Sequence, residues 1–316
     1  MSLVPARRLA GIGLAAMAGL ALAVQARING QFATALRTAD PRGTPLPGVL
    51  AATISTGIGL VLLAVIVLGA PAGRRGLVWL ARSLRTGTLS WWQCLGGVCG
   101  ALLVSAQGLT VAEIGVAVYT VAVVAGQVLA SLLVDRAGVG PMGPRPMTAR
   151  RTLGALLTVP AVAVAVAHQF GDTRVLLLAL LPLMAGVGSA WQQAVNGQVA
   201  ARSGQTLVAS LVNFAVAEVV LLAVLAVPLA ATGLPHRWPT TWWLYTGGLL
   251  GIVLIASAAT AVGLVGVLLV GLCSVAGQLA GALALEVAVP AGPLVFPVIG
   301  TVLALVAVAV ASRDRS

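Results

Sequence analysis

Long runs of apolar residues follow one another from end to end of the chain, and short stretches rich in proline, glycine and arginine separate them. A transmembrane helix needs about 20 consecutive, mostly apolar residues. The pattern therefore predicts an all-α, polytopic membrane protein with ten transmembrane helices. The predicted spans lie at about 9–36, 48–70, 90–110, 114–134, 150–168, 174–202, 206–231, 242–263, 265–286 and 293–312.

The gaps between these spans hold turn-forming residues and charges, and we expect residues 39–48, 70–76 and 135–146 to be loops. Very few residues separate the third span from the fourth, and the eighth from the ninth. Each of these two pairs is expected to form a tight helical hairpin.

The first apolar run has the layout of a cleaved signal peptide, with a basic start and a small-residue end. A repeated motif argues against cleavage, because QARINGQ (25–31) recurs as QQAVNGQ (192–198). A segment with a counterpart deep in the chain is expected to belong to the fold. We therefore keep the first run as a span.

Two further motifs recur at one common separation. WWQCLGGVCG (91–100) returns as WWLYTGGLLG (242–251), and VVAGQVLASLLVD (123–135) returns as SVAGQLAGALALE (274–286). The chain is interpreted as a tandem duplication of a five-helix unit, with copies at 1–168 and 169–316. Because five is odd, the second copy should enter the membrane from the opposite side, which predicts inverted repeats of the kind found in secondary transporters.

The first of these motifs contains two GxxxG pairs, Gly96/Gly100 and Gly247/Gly251. Small residues one turn apart let a neighbouring helix approach closely. The pairs are consistent either with plain helix packing or with a sliding contact that gates a transport path.

Composition agrees with a membrane protein, since 59% of the residues are hydrophobic and only 8% are charged, with a mean hydropathy of +1.07. All basic residues are arginines, and they lie between the apolar runs instead of forming a nucleic-acid-binding stripe. Most of them fall on one side of the membrane if the N-terminus is cytoplasmic. We therefore expect a multi-pass protein of the bacterial inner (cell) membrane with both termini in the cytoplasm.

Soluble catalytic or metal-binding chemistry has no pattern to support it. Cys94, Cys99 and Cys273 lie inside apolar runs at spacings that match no metal site, and His168 and His236 stand alone near helix ends. Nucleotide-binding and hydrolase motifs are absent from the sequence. No cofactor, no metal, no nucleic-acid partner and no enzymatic activity are expected.

A set of motifs resembles a known family. The WW–GG–G start of the third span, the AGQ of the fourth span with an acidic residue eight positions later, and the QxxxN of the first span resemble the YdcZ-like family of the drug/metabolite transporter (DMT) superfamily. Usual YdcZ-like members are single five-helix units, and this chain resembles two such units fused. The resemblance implies a ten-helix DMT/EamA-like transporter fold with a central cavity, and it implies no particular substrate.

Polar residues inside spans are costly unless they are paired or line a wet cavity. Each repeat carries a Gln and an Asn four residues apart, on one face of its first helix. Interhelical hydrogen bonding, or a helix C-cap at each Asn-Gly pair, is the alternative to a pathway role. The pathway candidates, together with Ser55, are Gln25, Asn29, Gln127, Gln192, Asn196, Asn213 and Gln278.

Aromatic and acidic residues give weaker signals. Trp191 and Tyr119 could form an aromatic wall for an organic substrate, although ordinary packing is the alternative. Glu113, Asp135 and Glu286 lie at helix ends, where they are expected to be solvated.

Two charges are placed differently, because Glu218 and Arg27 fall inside spans. Glu218 lies about twelve residues into the seventh span, roughly 18 Å along the helix and near mid-membrane. A carboxylate there should be neutral or paired, and Arg27 is its expected partner. The alternatives are a coupling site for a proton or a cationic substrate, a structural ion pair or a carboxyl group that reaches a neighbouring helix, and exposure at a wet cleft.

These features together favour a secondary transporter of a small organic solute or metabolite, in which two inverted halves alternate access. Coupling to protons is one option, and the lipid bilayer is the other expected partner. A noncatalytic assembly or lipid-handling protein is the first alternative. A membrane-embedded lipid enzyme is the second, although it would need clustered acid–base groups that the sequence does not bring together.

Overall fold

The computed structural model describes residues 3–39, 46–141, 143–144, 148–165, 167, 173–265, 267–288 and 294–312. His168 lies outside these residues. The described chain forms eleven α-helices joined by short turns: α1 (Leu3–Ala39), α2 (Pro47–Gly69), α3 (Pro71–Arg85), α4 (Gly96–Ile114), α5 (Val116–Arg136), α6 (Ala149–Ala165), α7 (Thr173–Ser203), α8 (Thr206–Thr232), α9 (Gly247–Val265), α10 (Val267–Ala288) and α11 (Val295–Ser312).

Helix α3 is a correction to the sequence analysis, which expected residues 70–76 to be a loop. Pro71 occupies the first turn, where a proline costs no hydrogen bond, so the helix can begin there. Gly73 and Gly76 are buried and let α3 pack closely, the latter against Val208 of α8. The glycines that suggested a turn are therefore the contact surface of a helix.

Six segments are long and apolar enough to cross a membrane: Arg7–Ala39, Pro47–Gly69, Trp91–Ile114, Val116–Arg136, Leu176–Ser203 and Thr206–Ala231. The other predicted spans overlap shorter apolar helices, at Thr152–Ala165, Trp242–Leu254, Cys273–Ala288 and Val295–Ala307. An all-helical, multi-pass architecture follows from these lengths. The number of ten spans stays a prediction.

The first and sixth predicted spans are long, uninterrupted helices. Helix α1 continues through Asn29 and Gly30 to Ala39, and α7 continues through its own Asn-Gly pair to Ser203. The alternative that these pairs end a helix is therefore wrong. Their asparagine side chains are instead presented from the middle of a helix to its neighbours.

The hairpin expected between the third and fourth spans is confirmed. Gly115 alone separates α4 from α5, and it has a φ of 80°, a conformation that favours glycine. The matching hairpin joins α9, which ends at Val265, to α10, which begins at Val267. Its turn residue, at position 266, lies outside the described residues.

Pairs of glycines let two long helices cross at close range. Where α7 crosses α5, a β-carbon on Gly126 would meet the carbonyl oxygen of Leu183, and one on Gly186 would meet that of Val123. Where α1 crosses α10, Gly277 meets the backbone of α1 in the same way. Backbone contact of this kind needs a residue without a β-carbon.

Packing between helices follows the duplication. If α1, α2, α4, α5 and α6 are matched with α7, α8, α9, α10 and α11, the α1–α10 contact corresponds to the α7–α5 contact. The α1–α9 contact corresponds to α7–α4 in the same way, while the pairs α2–α8, α5–α10 and α6–α11 correspond to themselves. Every one of these contacts joins one copy to the other.

Glu286 is a second correction, because it was expected to be solvated. Its side chain is only 3% exposed, and its Oε2 accepts hydrogen bonds from the backbone N–H groups of Val116 (2.9 Å) and Ala117 (3.4 Å). These donors open α5, whose N-terminus carries positive partial charge. Glu286 on α10 therefore caps a helix of the other copy.

Glu113, at the end of α4, is more exposed and forms ion pairs instead. Its Oε1 lies 3.2 Å from Arg37 of α1, and its Oε2 lies 3.9 Å from Arg174 of α7. Because both arginines are well exposed, the network should contribute little to stability.

Candidate functional site

Four buried polar residues form what we call the first amide cluster: Gln25 and Asn29 of α1, Ser55 of α2 and Gln107 of α4. Asn29 donates a 2.7 Å hydrogen bond from Nδ2 to Oε1 of Gln107. The start of α9 lies against the cluster, since a β-carbon on Gly247 would come 2.6 Å from Oδ1 of Asn29. Four helices therefore meet around these amides.

The second amide cluster consists of Gln192 and Asn196 of α7, which are half-buried, and Asn213 of α8, which is buried. Gln192 donates a 3.1 Å hydrogen bond from Nε2 to Oδ1 of Asn213. A β-carbon on Gly96, the first residue of α4, would come 2.6 Å from Oδ1 of Asn196. The arrangement repeats that of the first amide cluster.

The two clusters are equivalent under the duplication, and each is built from both copies. Asn29 belongs to the first copy and contacts Gly247 of the second, whereas Asn196 belongs to the second copy and contacts Gly96 of the first. Two repeated motifs that are far apart in sequence, QxxxNGQ and WWxxxGGxxG, therefore meet in space. Each meeting point lies where one copy packs against the other.

The GxxxG glycines make room for amide side chains. A β-carbon on Gly100 would lie 3.1 Å from Nε2 of Gln192, and one on Gly251 would lie 3.4 Å from Nε2 of Gln25. Gly97, between the two glycines of the first pair, also contacts the backbone of α8. The motif therefore serves both close packing and the polar clusters.

Three polar atoms of the first amide cluster are buried without a hydrogen-bond partner in the structure: Oδ1 of Asn29, Oγ of Ser55 and Nε2 of Gln107. Buried polar groups are normally satisfied, and an unsatisfied one costs about 1–3 kcal/mol. One donor and two potential acceptors therefore converge on a small region. Such a region can hydrogen-bond a neutral polar solute or water.

Sequence reasoning missed Gln107, which is fully buried and pairs with Asn29. The search for repeated polar residues passed over it because its counterpart in the second copy is the apolar Ala258. An amide in the middle of an apolar helix was the signal that could have found it. The first amide cluster thus has a member that the second lacks.

Gln127 and Gln278 lie away from the hydrogen bonds of both clusters, at the glycine crossings. Gln127 of α5 is half-buried, and its backbone nitrogen lies beside Gly186 of α7. Gln278 of α10 is 3% exposed, and its backbone nitrogen lies beside Gly19 of α1. Their position allows either a pathway role or a structural bond at the crossing.

Glu218 lies on α8 at the interface with α2. Its Oε1 would come within 3.2 Å of a β-carbon on Gly57, and its Oε2 is buried without a hydrogen-bond partner. The expected ion pair with Arg27 does not form. Since α8 and α2 are equivalent helices of the two copies, the carboxyl group lies at a contact between them.

Arg27 faces a different space. A cavity of about 460 Å³ opens beside α1, lined by Arg27, Gln31 and Thr34 of α1, Val111 of α4, and Trp243. Gln25 and Asn29 lie on another face of α1, because each is two residues from Arg27, which is about 200° around the helix. The cavity is thus separate from the first amide cluster.

The two proposed wall aromatics are in different surroundings. Trp191 stacks on Trp92, with ring centroids 6.5 Å apart and planes 24° from parallel. Tyr119 is fully buried in α5, where its hydroxyl group donates to the carbonyl oxygen of Leu103 at 3.3 Å. Tyr119 is thus enclosed among the helices, whereas the stacked tryptophans lie on α7 and just before α4.

The chain also matches a known family. The family model described as "Putative inner membrane exporter, YdcZ" matches the chain twice, over residues 10–164 and again over residues 177–311. The chain belongs to this family. The match confirms the resemblance to YdcZ-like proteins, and it shows that the YdcZ unit is present in two successive copies.

Comparisons with individual proteins are less specific. A crystal structure whose title names no function is similar to this YdcZ-family protein over 97% of this chain and 96% of that chain, with 21% sequence identity and a TM-score of 0.54. At this identity the likeness shows the fold alone. No curated protein matches the chain.

Family membership, together with the apolar helices, makes this protein a transmembrane transporter of the DMT class. The YdcZ family carries the description of an inner-membrane exporter. Its description assigns no residue to substrate or to a coupling ion. The functional roles of the amide clusters, of Glu218 and of Arg27 are therefore proposals.

Proposed function

We propose that this YdcZ-family protein is a secondary transporter of a small organic solute or metabolite that alternates access between two inverted five-helix halves, residues 1–168 and 169–316. The observation that carries this proposal is the reciprocal contact of Asn29 with Gly247 and of Asn196 with Gly96. Equivalent contacts from both copies are expected when two copies of one unit face each other about a two-fold axis. The family's description as an exporter supports outward movement of the solute.

The amide clusters are the proposed solute-binding groups. They carry no formal charge, and they combine donors with acceptors inside an apolar protein. Such groups suit a neutral or zwitterionic organic solute that can exchange hydrogen bonds with them. The first amide cluster is more deeply buried than the second, which is consistent with a conformation that is closed on the side of the first.

The solute can be sought with a thermal-shift screen of small organic compounds, and the flux of a compound that binds can then be measured in proteoliposomes. Replacing Gln25, Asn29, Gln192 or Asn196 by Ala should lower that flux at least about tenfold while folding stays near normal. If an amide side chain only forms a structural hydrogen bond between helices, that bond contributes about 1 kcal/mol. Its loss would then lower the stability of the protein instead of the flux.

Gln193 provides the matched control, because it is an exposed amide on the same helix as Gln192. Its replacement by Ala should change neither flux nor stability. Wild-type flux in all four folded cluster variants would remove these amides from the transport path.

We also propose that both termini are cytoplasmic, since most arginines then lie on the cytoplasmic side. In a background with serine at the three native cysteines, Ala81→Cys should react with a membrane-impermeant thiol reagent from the cytoplasm. His236→Cys should react from outside, and both positions are exposed. The reverse pattern would invert the orientation, and reaction of both positions from one side would contradict the inverted repeat.

A further inference from the structure

Helix α3 joins two segments that are candidate membrane spans. It connects α2 to the segment Trp91–Ile114, and both of these have the length and hydropathy of a membrane span. Two consecutive spans leave the connecting helix on a single side of the bilayer. On its inner side α3 packs through Gly73, Gly76 and Leu80, so its opposite side is turned away from the protein.

That outer side carries a stripe of four residues at helical spacing, which we call the α3 stripe: Arg75, Val78, Trp79 and Arg82. They share one face because they are three or four residues apart in sequence. Val78 is 68% exposed and Trp79 is 55% exposed, and the four side chains line a cavity of about 230 Å³. The guanidinium carbon of Arg82 lies 5.6 Å from the centroid of the Trp79 ring.

Neither Arg75 nor Arg82 forms an ion pair within the part of the chain that the structure describes. The nearby Arg74 is different, because it donates a 2.6 Å hydrogen bond to the carbonyl oxygen of Leu68 at the end of α2. Two guanidinium groups are thus left facing one concave surface, with an indole ring and a valine between them. This combination of positive charge and apolar surface suits a ligand that has an anionic group attached to an apolar body.

We propose that the α3 stripe binds the phosphate headgroup of an anionic phospholipid in the adjacent leaflet. Guanidinium groups can contact a phosphate with two parallel hydrogen bonds each. Trp79 and Val78 would lie at the boundary between headgroups and acyl chains, where such residues are favoured. The arginines would reach the headgroups by extending their side chains.

A lipid accounts for the stripe better than a soluble anion does. A free phosphate ion would use the two arginines but would leave Val78 and Trp79 exposed to water. A lipid covers the apolar pair and neutralises the charges in one contact. Juxtamembrane arginines are attracted to an anionic membrane surface.

The test measures lipid binding and is independent of transport. Purified protein in a neutral detergent is titrated with phosphatidylglycerol or with phosphatidylcholine, and thermal stability and lipid retention in native mass spectrometry are recorded. Wild type should be stabilised by phosphatidylglycerol selectively. The variant R75Q/R82Q should need roughly ten times more phosphatidylglycerol for the same shift.

Arg85→Gln is the matched control, since it removes the same charge from the same helix at an exposed position one turn beyond the four residues that line the cavity. It should retain the wild-type response. If the double variant does not fold, Arg75→Gln alone serves, because Arg75 is exposed and forms no ion pair among the described residues. Inorganic phosphate and glycerol phosphate should give no shift at the same concentrations.

Three results would overturn the proposal. An equal response to phosphatidylcholine would mean that binding does not depend on the net negative charge of the lipid headgroup. If Arg85→Gln loses as much of the stabilisation by phosphatidylglycerol as the double variant does, the lipid is attracted by the overall positive charge of α3 and not by a specific site. A full shift with inorganic phosphate would mean that the stripe takes a soluble anion.

Discussion

Proteoliposomes that contain Glu218→Gln are expected to lose proton-driven accumulation of the transported solute while the protein remains folded. We propose that Glu218 exchanges a proton as α8 and α2 move against each other, because its buried Oε2 has no partner in this conformation. An ionised carboxylate in that position would be costly inside the membrane. Coupling free energies are typically about 1–3 kcal/mol, so the loss should be roughly 5- to 150-fold.

The measurement is accumulation against external pH, with solute exchange at zero gradient recorded in parallel. Glu218→Gln should abolish the pH dependence of accumulation and retain exchange, since glutamine resembles the protonated carboxyl group. Glu113→Gln serves as a matched carboxyl control, and it should behave as wild type because its ion pairs are exposed. Wild-type accumulation by Glu218→Gln at every pH would end the coupling proposal.

Arg27→Gln and the double variant with Glu218→Gln complete this experiment. Because the two side chains do not pair in this conformation, their effects should add within about 0.5 kcal/mol. Strong non-additivity would indicate that they pair in another conformation of the transport cycle. The double variant therefore tests the ion pair that was expected from sequence.

Replacement of Glu286 by Ala is expected to destabilise the protein by about 2–3 kcal/mol, because it leaves the N–H groups that open α5 without their charged acceptor. Thermal unfolding in detergent, with a binding measurement as a second readout, measures the loss. Glu286→Gln keeps an acceptor oxygen and should recover part of the stability. The difference between the two variants reports the charge on the capping group.

The control for Glu286 is again a carboxylate at a helix end. Glu113→Ala should cost less than about 1 kcal/mol, as expected for an exposed ion pair. Equal losses of stability in the Glu286 and Glu113 variants would show that the cap between α10 and α5 stabilises the protein no more than an exposed ion pair does. Transport by a stable Glu286→Gln variant would then show whether the contact must open during the cycle.

The helical, membrane-embedded architecture follows from the sequence alone, because the length of an apolar run and the thickness of a bilayer leave few alternatives. The repeated motifs revealed the duplication, and the resemblance named the family, which the matches over 10–164 and 177–311 confirm. Helical periodicity also predicted that Gln25 shares a face of α1 with Asn29 and that Gln192 shares a face of α7 with Asn196, while their role in a transport pathway stays a prediction. Helical periodicity is a local property, so it can be read from one segment at a time.

What tertiary structure decided was which segments meet. Gln107 pairs with Asn29 because α4 packs against α1, and nothing in either helix alone specifies that neighbour. Glu286 was expected in water but caps α5, since burial depends on the helix opposite. Glu218 and Arg27, the obvious ionic pair by sign, face Gly57 and a separate cavity. Residues 71–76 became part of a helix because α3 can pack Gly73 on α2 and Gly76 on α8 and lay its arginines outward. Long-range packing selects partners among many that local sequence allows, and that selection is the part which only the folded chain determines.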